Sequence, residues 1–329
     1  MRWFQVDKGL ACAVCGGKPS IKVSYLDSYL CKEHFLEYFE RRVLSTIKYF
    51  NLIEEGDVVA AAVSGGKDSL SLLYVLKKFS EKLGYTVFGI AVDEGIQGYR
   101  EYKLKALKKV AEKISVKIFV ASFLENYGLT LDEAVKIAMR RGFEYKPCSI
   151  CGVFRRYLLN LVAKELRANK LATGHNLDDE TQVFLMNVLR GGVPNIAREY
   201  PISRGGHEKL VTRIKPFYFI PEKETLTYAL LRGLETPFVE CPYVEYSIRH
   251  GIRRWLNSRE KEQPGIKYKV AASSLLYGEI FANIDRSLSS LQTCKYCSAP
   301  STSEICRACA FRIYLGLTPG TIRLKIHEI

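Results

Sequence analysis

An α/β fold, a parallel sheet with crossover helices on both faces and a zinc finger at each end, is the architecture this sequence predicts. Three observations predict it. Apolar strand-like runs alternate with helical stretches between residues 58 and 190, the pattern of parallel strands joined by helices. Gly65 and Gly66 fall where the first of those runs turns into a helix. Cysteine pairs with metal-ligand spacing stand near both ends of the chain.

The elements follow in order. Residues 1–36 read as an N-terminal finger, in which Cys12-x2-Cys15 is followed after fifteen residues by Cys31-x2-His34. Two hairpin-like pairs of soft ligands suit tetrahedral Zn²⁺. Gly16-Gly17 permits the tight turn beneath the metal. A helix over Phe39–Phe50 leads into the main domain, residues 37–290. Val58–Val63 is a continuous apolar run, read as a buried strand, and Asp68–Leu83 is its helix. Thr86–Val92 is the second strand, with a helix over Tyr102–Ile114, and Lys117–Ala121 is the third. A helix near Leu131–Arg141 precedes a loop carrying Cys148, and Val153–Leu166 is helical. Lys170–Thr173 is a short strand ending at Gly174-His175-Asn176. Asp178-Asp179-Glu180 then opens a helix, where acids suit the positive end of the dipole. Gly191-Gly192-Val193-Pro194 ends this region, and residues 216–290 read as mainly helical. Residues 291–329 carry Cys294-x2-Cys297 and, eight residues on, Cys306-x2-Cys309, a four-thiolate zinc pattern. The competing reading of either quartet is a set of buried free cysteines. Four protein ligands leave no open position, so both metals would be structural.

The turn Ser64-Gly65-Gly66-Lys67-Asp68-Ser69 is the most informative segment. Glycine lets backbone approach a ligand closely, and the first amides of a helix point unpaired at whatever fills the turn. Two hydroxyls and the Lys67 charge complete a cradle for phosphate. It is not a Walker loop, because Ala61 stands where that pattern needs its first glycine. Ligands of open α/β sheets bind beyond the carboxyl ends of the strands. The segments 64–69, 92–99, 148–156 and 174–180 should therefore meet in one crevice.

Composition narrows the function classes. The net charge is +14, from 49 Lys and Arg against 35 Asp and Glu. Arg249, His250, Arg253, Arg254, Arg259 and Lys261 crowd into 13 residues. Arg140, Arg141, Lys146, Arg155 and Arg156 surround Cys148 and Cys151. Basic charge beside candidate chemistry favours a nucleic-acid substrate over a merely solvated face. No apolar run is long enough to span a bilayer, and Met1–Asp7 lack the features of a signal peptide. The protein is expected in the cytoplasm, where ten cysteines are not read as disulfides.

Cys148-x2-Cys151 and Cys241 remain after both quartets are filled. Three thiolates can hold a [4Fe–4S] cluster with one iron left open. They can also be a redox pair plus a sulfur-carrying thiol, or a helix-start CxxC beside an unrelated buried cysteine.

Ser64–Ser69 resembles the PP-loop, SGGxDS, of the ATP pyrophosphatase superfamily, whose members cut ATP between the α and β phosphates and use the AMP half to activate a carbonyl oxygen. Add Gly174-His175-Asn176-Leu177-Asp178-Asp179, Cys148-x2-Cys151, Cys241 and the flanking quartets, and nearly the whole chain resembles the TtcA/TtuA family of tRNA 2-thiolation enzymes. The resemblance is strongest to the subgroup with two fingers and a ubiquitin-like sulfur carrier, which thiolates 5-methyluridine 54. It implies the adenine nucleotide α-hydrolase-like fold, with ATP contacting Ala62, Ser64, Gly65, Gly66, Lys67, Asp68, Ser69, Val92, Arg155 and Gly174. It implies that Cys148, Cys151 and Cys241 hold a [4Fe–4S] cluster, that Asp179 is catalytic, and that Lys67 and Mg²⁺ stabilise developing charge. Two Zn²⁺ would occupy the quartets. The partners implied are tRNA, the sulfur carrier and a second copy of the chain in a homodimer. Arg155 stands where the family can place lysine; guanidinium does not donate its proton at neutral pH, which leaves phosphate binding. Wobble-uridine thiolases share the layout, so uridine 34 is the nearest alternative target. A non-catalytic zinc RNA-binding protein is the alternative of a different class, and it has no use for the PP-loop.

Overall fold

The computed structural model describes residues 11–142, 145–203, 207–237, 239–244, 249–284 and 291–329. The N-terminal residues read above for a signal peptide lie outside these. A hairpin, β1 (Ile21–Val23) and β2 (Ser28–Leu30), enters helix α1 (Lys32–Tyr49). Then follow β3 (Val58–Ala62), α2 (Lys67–Leu83), β4 (Thr86–Asp93), α3 (Arg100–Ile114), β5 (Ile118–Ser122), α4 (Phe123–Tyr127), α5 (Leu131–Arg140), α6 (Pro147–Glu165), β6 (Lys170–Thr173), α7 (Leu177–Leu189) and α8 (Val193–Ile196). The remainder is β7 (Thr212–Ile214), α9 (Glu222–Leu231), α10 (Arg249–Glu262), α11 (Ile266–Ile284), β8 (Gln292–Thr293), β9 (Pro300–Ser301), α12 (Arg307–Tyr314) and β10 (His327–Glu328).

The central sheet has the order β10-β5-β4-β3-β6-β7. All its pairings are parallel except β10 on β5, which is antiparallel. Period-2 alternation sends β3 side chains to two cores. Val59 and Ala61 join Phe39, Leu70, Leu73, Phe217 and Tyr228 on the α1–α2–α9 side. Ala60 joins Ile90, Phe123, Phe154, Leu158 and the C-terminal finger on the α6 side. Phe39 stacks on Tyr228 with ring centroids 4.2 Å apart, and Tyr127 stacks on Phe154 at 4.1 Å. Strands buried on both faces read as unbroken apolar runs, which is why β3 and β4 are legible in the sequence.

The expected core strands and the helices α2, α3 and α5 stand within two residues of their sequence bounds. Two helices begin earlier than expected. α1 starts at Lys32, with Cys31 as its N-cap, so it runs without a break from the finger into the core. α6 starts at Pro147, where proline's fixed φ and missing N–H suit the first helical position. Cys148 and Cys151 therefore lie on the first turn of a helix, not in a loop. The three residues of β7 form a strand in the connection before residue 216, where the sequence reading placed no element. No described helix is long and apolar enough to cross a membrane.

Candidate active site

β3 delivers the chain to Ser64 at the carboxyl edge of the sheet, and α2 leaves from Lys67. Gly65 has φ +80°, and a Cβ there would lie 2.2 Å from the Lys103 carbonyl oxygen; only glycine fits. Ser69 closes the turn. Its hydroxyl accepts the Ser64 N–H at 3.1 Å and donates to the Gly66 carbonyl at 3.0 Å. Arg100 braces the turn from below, donating to the Ser64 carbonyl at 2.8 Å. Gly66 caps α2 without a side-chain bond, so the amides at the helix start face the crevice open. A Cβ on Gly174 would come within 3.1 Å of the Asp68 backbone, so the end of β6 lies directly against the turn.

Charge around this cradle is arranged in pairs. Lys67 Nζ donates to Asp68 at 2.7 Å and to Glu222 at 2.9 Å. Its pKa is raised, with those two carboxylates outweighing burial. Asn176 donates to Asp68 at 3.2 Å, and Thr225 also bonds that carboxylate. Asn176 and Asp179 form a capping box at the start of α7. Asp179 is half-buried and lies 3.4 Å from Arg249. Burial, joined by Asp68 and Glu222, pushes its pKa up to about 6 against the pull of Arg249.

The cysteines flank the same crevice. Cys148 donates to the Tyr243 carbonyl at 3.4 Å, which brings the Cys241 turn to the N-terminus of α6. Tyr243 is anchored in turn by donating to Asp132 at 2.7 Å, and Asp132 accepts the Gln97 N–H at 3.0 Å. Burial raises the pKa of all three thiols, Cys151 to about 12; a metal would take the place of the proton. Among the described residues, only the two terminal quartets bring their ligand atoms within 4.8 Å of one another. The ligand atoms of Cys148, Cys151 and Cys241 do not all lie within that distance of one another. Three free thiols from the start of α6 and the Cys241 turn are a donor set that fits a [4Fe–4S] cluster. Glu94 joins the two halves of the site. It lies 3.4 Å from Arg155 on α6 and 3.4 Å from Arg100 under the phosphate turn.

Both quartets fit zinc. In the first, His34 Nδ1 lies 3.2 Å from Cys31 and 3.5 Å from Cys12. In the second, Cys297 and Cys306 are 3.5 Å apart. The C-terminal finger packs on α6, with Phe311 against Tyr145 at 5.0 Å and Phe154 at 6.4 Å. Metal analysis is expected to give two zinc ions per chain. Cys309→Ala should lose one and lower the melting temperature, because it loosens the helix that carries Cys148. A Cys309→Ala protein retaining both zinc ions and full stability would remove zinc from that quartet.

The structure thus brings Ser64–Ser69, Gly174, Asp179, Arg155, Cys148, Cys151 and Cys241 to one edge of the sheet. Of the other expected site residues, Ala62 ends β3 and Val92 is the last residue but one of β4. Sequence reasoning missed Arg100, Glu222, Thr225, Arg249 as a partner of Asp179, and Asp132. None carried a local signal, since each acts across a long sequence separation. Arg253, expected on an RNA-facing surface, instead donates to both Glu222 oxygens at 3.1 and 2.9 Å.

Residues 35–240 match the PP-loop domain family. The tRNA-5-methyluridine(54) 2-sulfurtransferase of Pyrococcus horikoshii is 35% identical over 92% of this chain and 93% of its own. Cytoplasmic tRNA 2-thiolation protein 1 of Drosophila melanogaster is 34% identical over 95% of this chain and 89% of its own. Among solved structures, the U34-tRNA thiolase NcsA of Methanococcus maripaludis, described with its [4Fe–4S] cluster, superposes with a TM-score of 0.81. It is 31% identical and covers 95% of this chain and 98% of that one.

Proposed function

The chain belongs to the PP-loop family of tRNA 2-thiolation sulfurtransferases, and from that premise we propose that it replaces the C2 oxygen of uridine or 5-methyluridine 54 with sulfur taken from a ubiquitin-like thiocarboxylate carrier. The reaction runs in the cytoplasm and consumes ATP. The observation that carries this reading is the convergence of three chemistries on one edge of the sheet. The phosphate cradle touches the Gly174 end of β6, Asp179 follows on α7, and Glu94 links the cradle to the cysteine helix.

ATP enters with its phosphates on the Gly65 to Ser69 turn and its adenosine against Ala62, Val92 and Gly174. Asp68 and Glu222 are the carboxylates nearest the cradle and would hold a Mg²⁺ that screens the phosphates. Asp179 takes the N3 proton of the uridine as its C2 oxygen bonds to the α-phosphorus, and pyrophosphate leaves. A pKa of about 6 leaves this carboxylate ionised yet basic at neutral pH, as a general base should be. Lys67 and the turn amides stabilise charge on the phosphoryl oxygens. Arg155 adds fixed positive charge between the nucleotide and the cysteines. Cys148, Cys151 and Cys241 would hold the [4Fe–4S] cluster, which when bound supplies one open iron for sulfur. Water releases the sulfur of the carrier thiocarboxylate as hydrosulfide and leaves a carboxylate; the hydrosulfide sulfur adds at C2, its proton goes to N3, and AMP departs with the former C2 oxygen as the carbon–oxygen bond breaks. The target base must leave its stack to reach the crevice.

Uridine 34 is the second reading, favoured by the NcsA structure, whose own substrate is that nucleotide. Anaerobic enzyme, ATP, sulfide and unmodified tRNA, followed by nuclease mapping and mass spectrometry, separate the two. Sulfur at position 54 with one AMP per thiolated base is expected. Sulfur at 34 would transfer the chain to the wobble thiolases, and tRNA without sulfur or AMP would remove the reading.

A further inference from the structure

The arginines around the crevice fall into two sets. Arg100 and Arg155 flank Glu94, Arg249 faces Asp179, and Arg253 holds Glu222. Arg156 and Arg213 are exposed, and among the described residues neither side chain has a hydrogen bond or an ion pair. The acid whose charge reaches Arg213 is Glu180, and Lys215 already holds that carboxylate at 2.5 Å.

Register puts these two guanidiniums side by side. α6 lies along residues 208–213 with one face, Arg156, Asn160 and Lys164, turned toward them. Lys164 donates to the Glu208 carbonyl. Asn160 donates to the Lys209 carbonyl at 3.0 Å and accepts the Val211 N–H at 2.9 Å. Arg156 is one helical turn before Asn160, and Arg213 is two residues beyond Val211 on the same face of the strand. The next rung of this ladder therefore sets arginine against arginine. Although Arg156 reaches solvent, desolvation by the groups packed around it, and then the charges of Arg213 and Arg155, hold its pKa below the usual value. Arg156 also folds back over the first turn of α6, its Nη1 lying 3.2 Å from where a Gly152 Cβ would be. Glycine next to Cys151 makes room for it.

Two unpaired guanidiniums at the mouth of a crevice repel one another until an anion comes between them, and their planar forks suit phosphate oxygens. We propose that Arg156 and Arg213 clamp one backbone phosphate of the tRNA strand that carries the target uridine, which holds the nucleotide beside Cys148 and Cys151. The proposal rests on the tRNA thiolation reading and adds the surface that positions the RNA. It is not a second seat for the ATP phosphates. β7 is two strands from β3 in the sheet, roughly 10 Å away. Phosphate contacts of this kind set register and orientation on the nucleic acid without reading bases.

The test uses the anaerobic full-length enzyme carrying Arg156→Gln and Arg213→Gln, singly and together, with tRNA binding measured across a salt series. ATP affinity, iron and zinc are measured on the same samples. The double variant is expected to bind tRNA at least about tenfold more weakly. Its dependence of log Kd on log salt should flatten by roughly 0.7 to 0.9, the mark of one lost phosphate. ATP affinity and metal content should stay unchanged. Arg156→Lys with Arg213→Lys should restore the salt slope. Parental affinity and slope in the double glutamine variant overturn the clamp and leave the thiolation reading standing. An equal loss of ATP affinity assigns the pair to the nucleotide and also overturns it. A parent enzyme that binds no tRNA overturns the thiolation reading and the clamp with it.

Discussion

Asp179→Asn is expected to lower tRNA thiolation by roughly two to four orders of magnitude, the span of a lost general base, while tRNA and ATP affinities stay near those of the parent. The amide keeps the size of the side chain and can still cap α7 through its carbonyl oxygen, so the loss reports chemistry and not folding. Burial pushes the Asp179 pKa up to about 6, and Arg249 pulls it down. The base form therefore grows in as pH rises through about 6, and kcat/KM for tRNA should rise over the same window. Arg249→Gln removes the downward pull and should move that limb to higher pH. Stability responds in the opposite sense: a carboxyl whose folded pKa lies above its unfolded one favours the fold below that window and disfavours it above. Lys67→Ala tests the electrostatic half of the site. It should cost roughly two to three orders of magnitude in rate and leave Asp68 and Glu222 without their shared cation. An Asp179→Asn enzyme with full turnover would remove that residue from the mechanism, and a pH profile flat from about 5 to about 8 would remove its proton-accepting role.

The parts of this fold that repeat locally were legible in the sequence. β3 and β4 lie under helices on both sides, so their apolar runs are unbroken, and the glycine turn after β3 is marked because no other residue could approach Lys103 so closely. α6 begins at Pro147, a residue that suits the first helical position, but the sequence reading placed Cys148 in a loop and began the helix at Val153. β7 and β10 are too short, at three and two residues, to show any period; their strand character comes from pairing with β6 and β5. The site was legible as a set of residue types and illegible as a set of partners. A run of arginines over 249–261 looked like an RNA surface, but tertiary packing gives Arg253 to Glu222 and Arg249 to Asp179. Arg156 and Arg213, brought together across more than fifty residues of sequence, are likewise invisible as a pair in the sequence.

Cys148→Ala, Cys151→Ala and Cys241→Ala should each abolish thiolation together with the iron signal. Three thiols outside both zinc quartets lend themselves to two chemistries, and these make different demands on Cys241. In a thiol relay one cysteine carries a persulfide and another resolves it as a disulfide, so each turnover oxidises a pair and needs a reductant before the next. As cluster ligands the three thiolates stay on iron, and sulfur comes from outside the chain. The placement favours the ligand role. Cys148 and Cys151 share the first turn of α6, and the Cys241 turn is tied to it through the Tyr243 carbonyl and to α5 through the Tyr243 hydroxyl. That fixes three donors around a space instead of bringing two sulfurs into bonding contact. Multiple turnovers with sulfide alone and no reductant are therefore expected from the anaerobic enzyme, with activity lost as air bleaches the cluster. Zinc in place of iron at the three cysteines with activity retained would defeat this assignment. So would a Cys241→Ala protein that keeps its iron spectrum and accumulates persulfide on Cys148 or Cys151, since that protein would be a relay stalled before its resolving step.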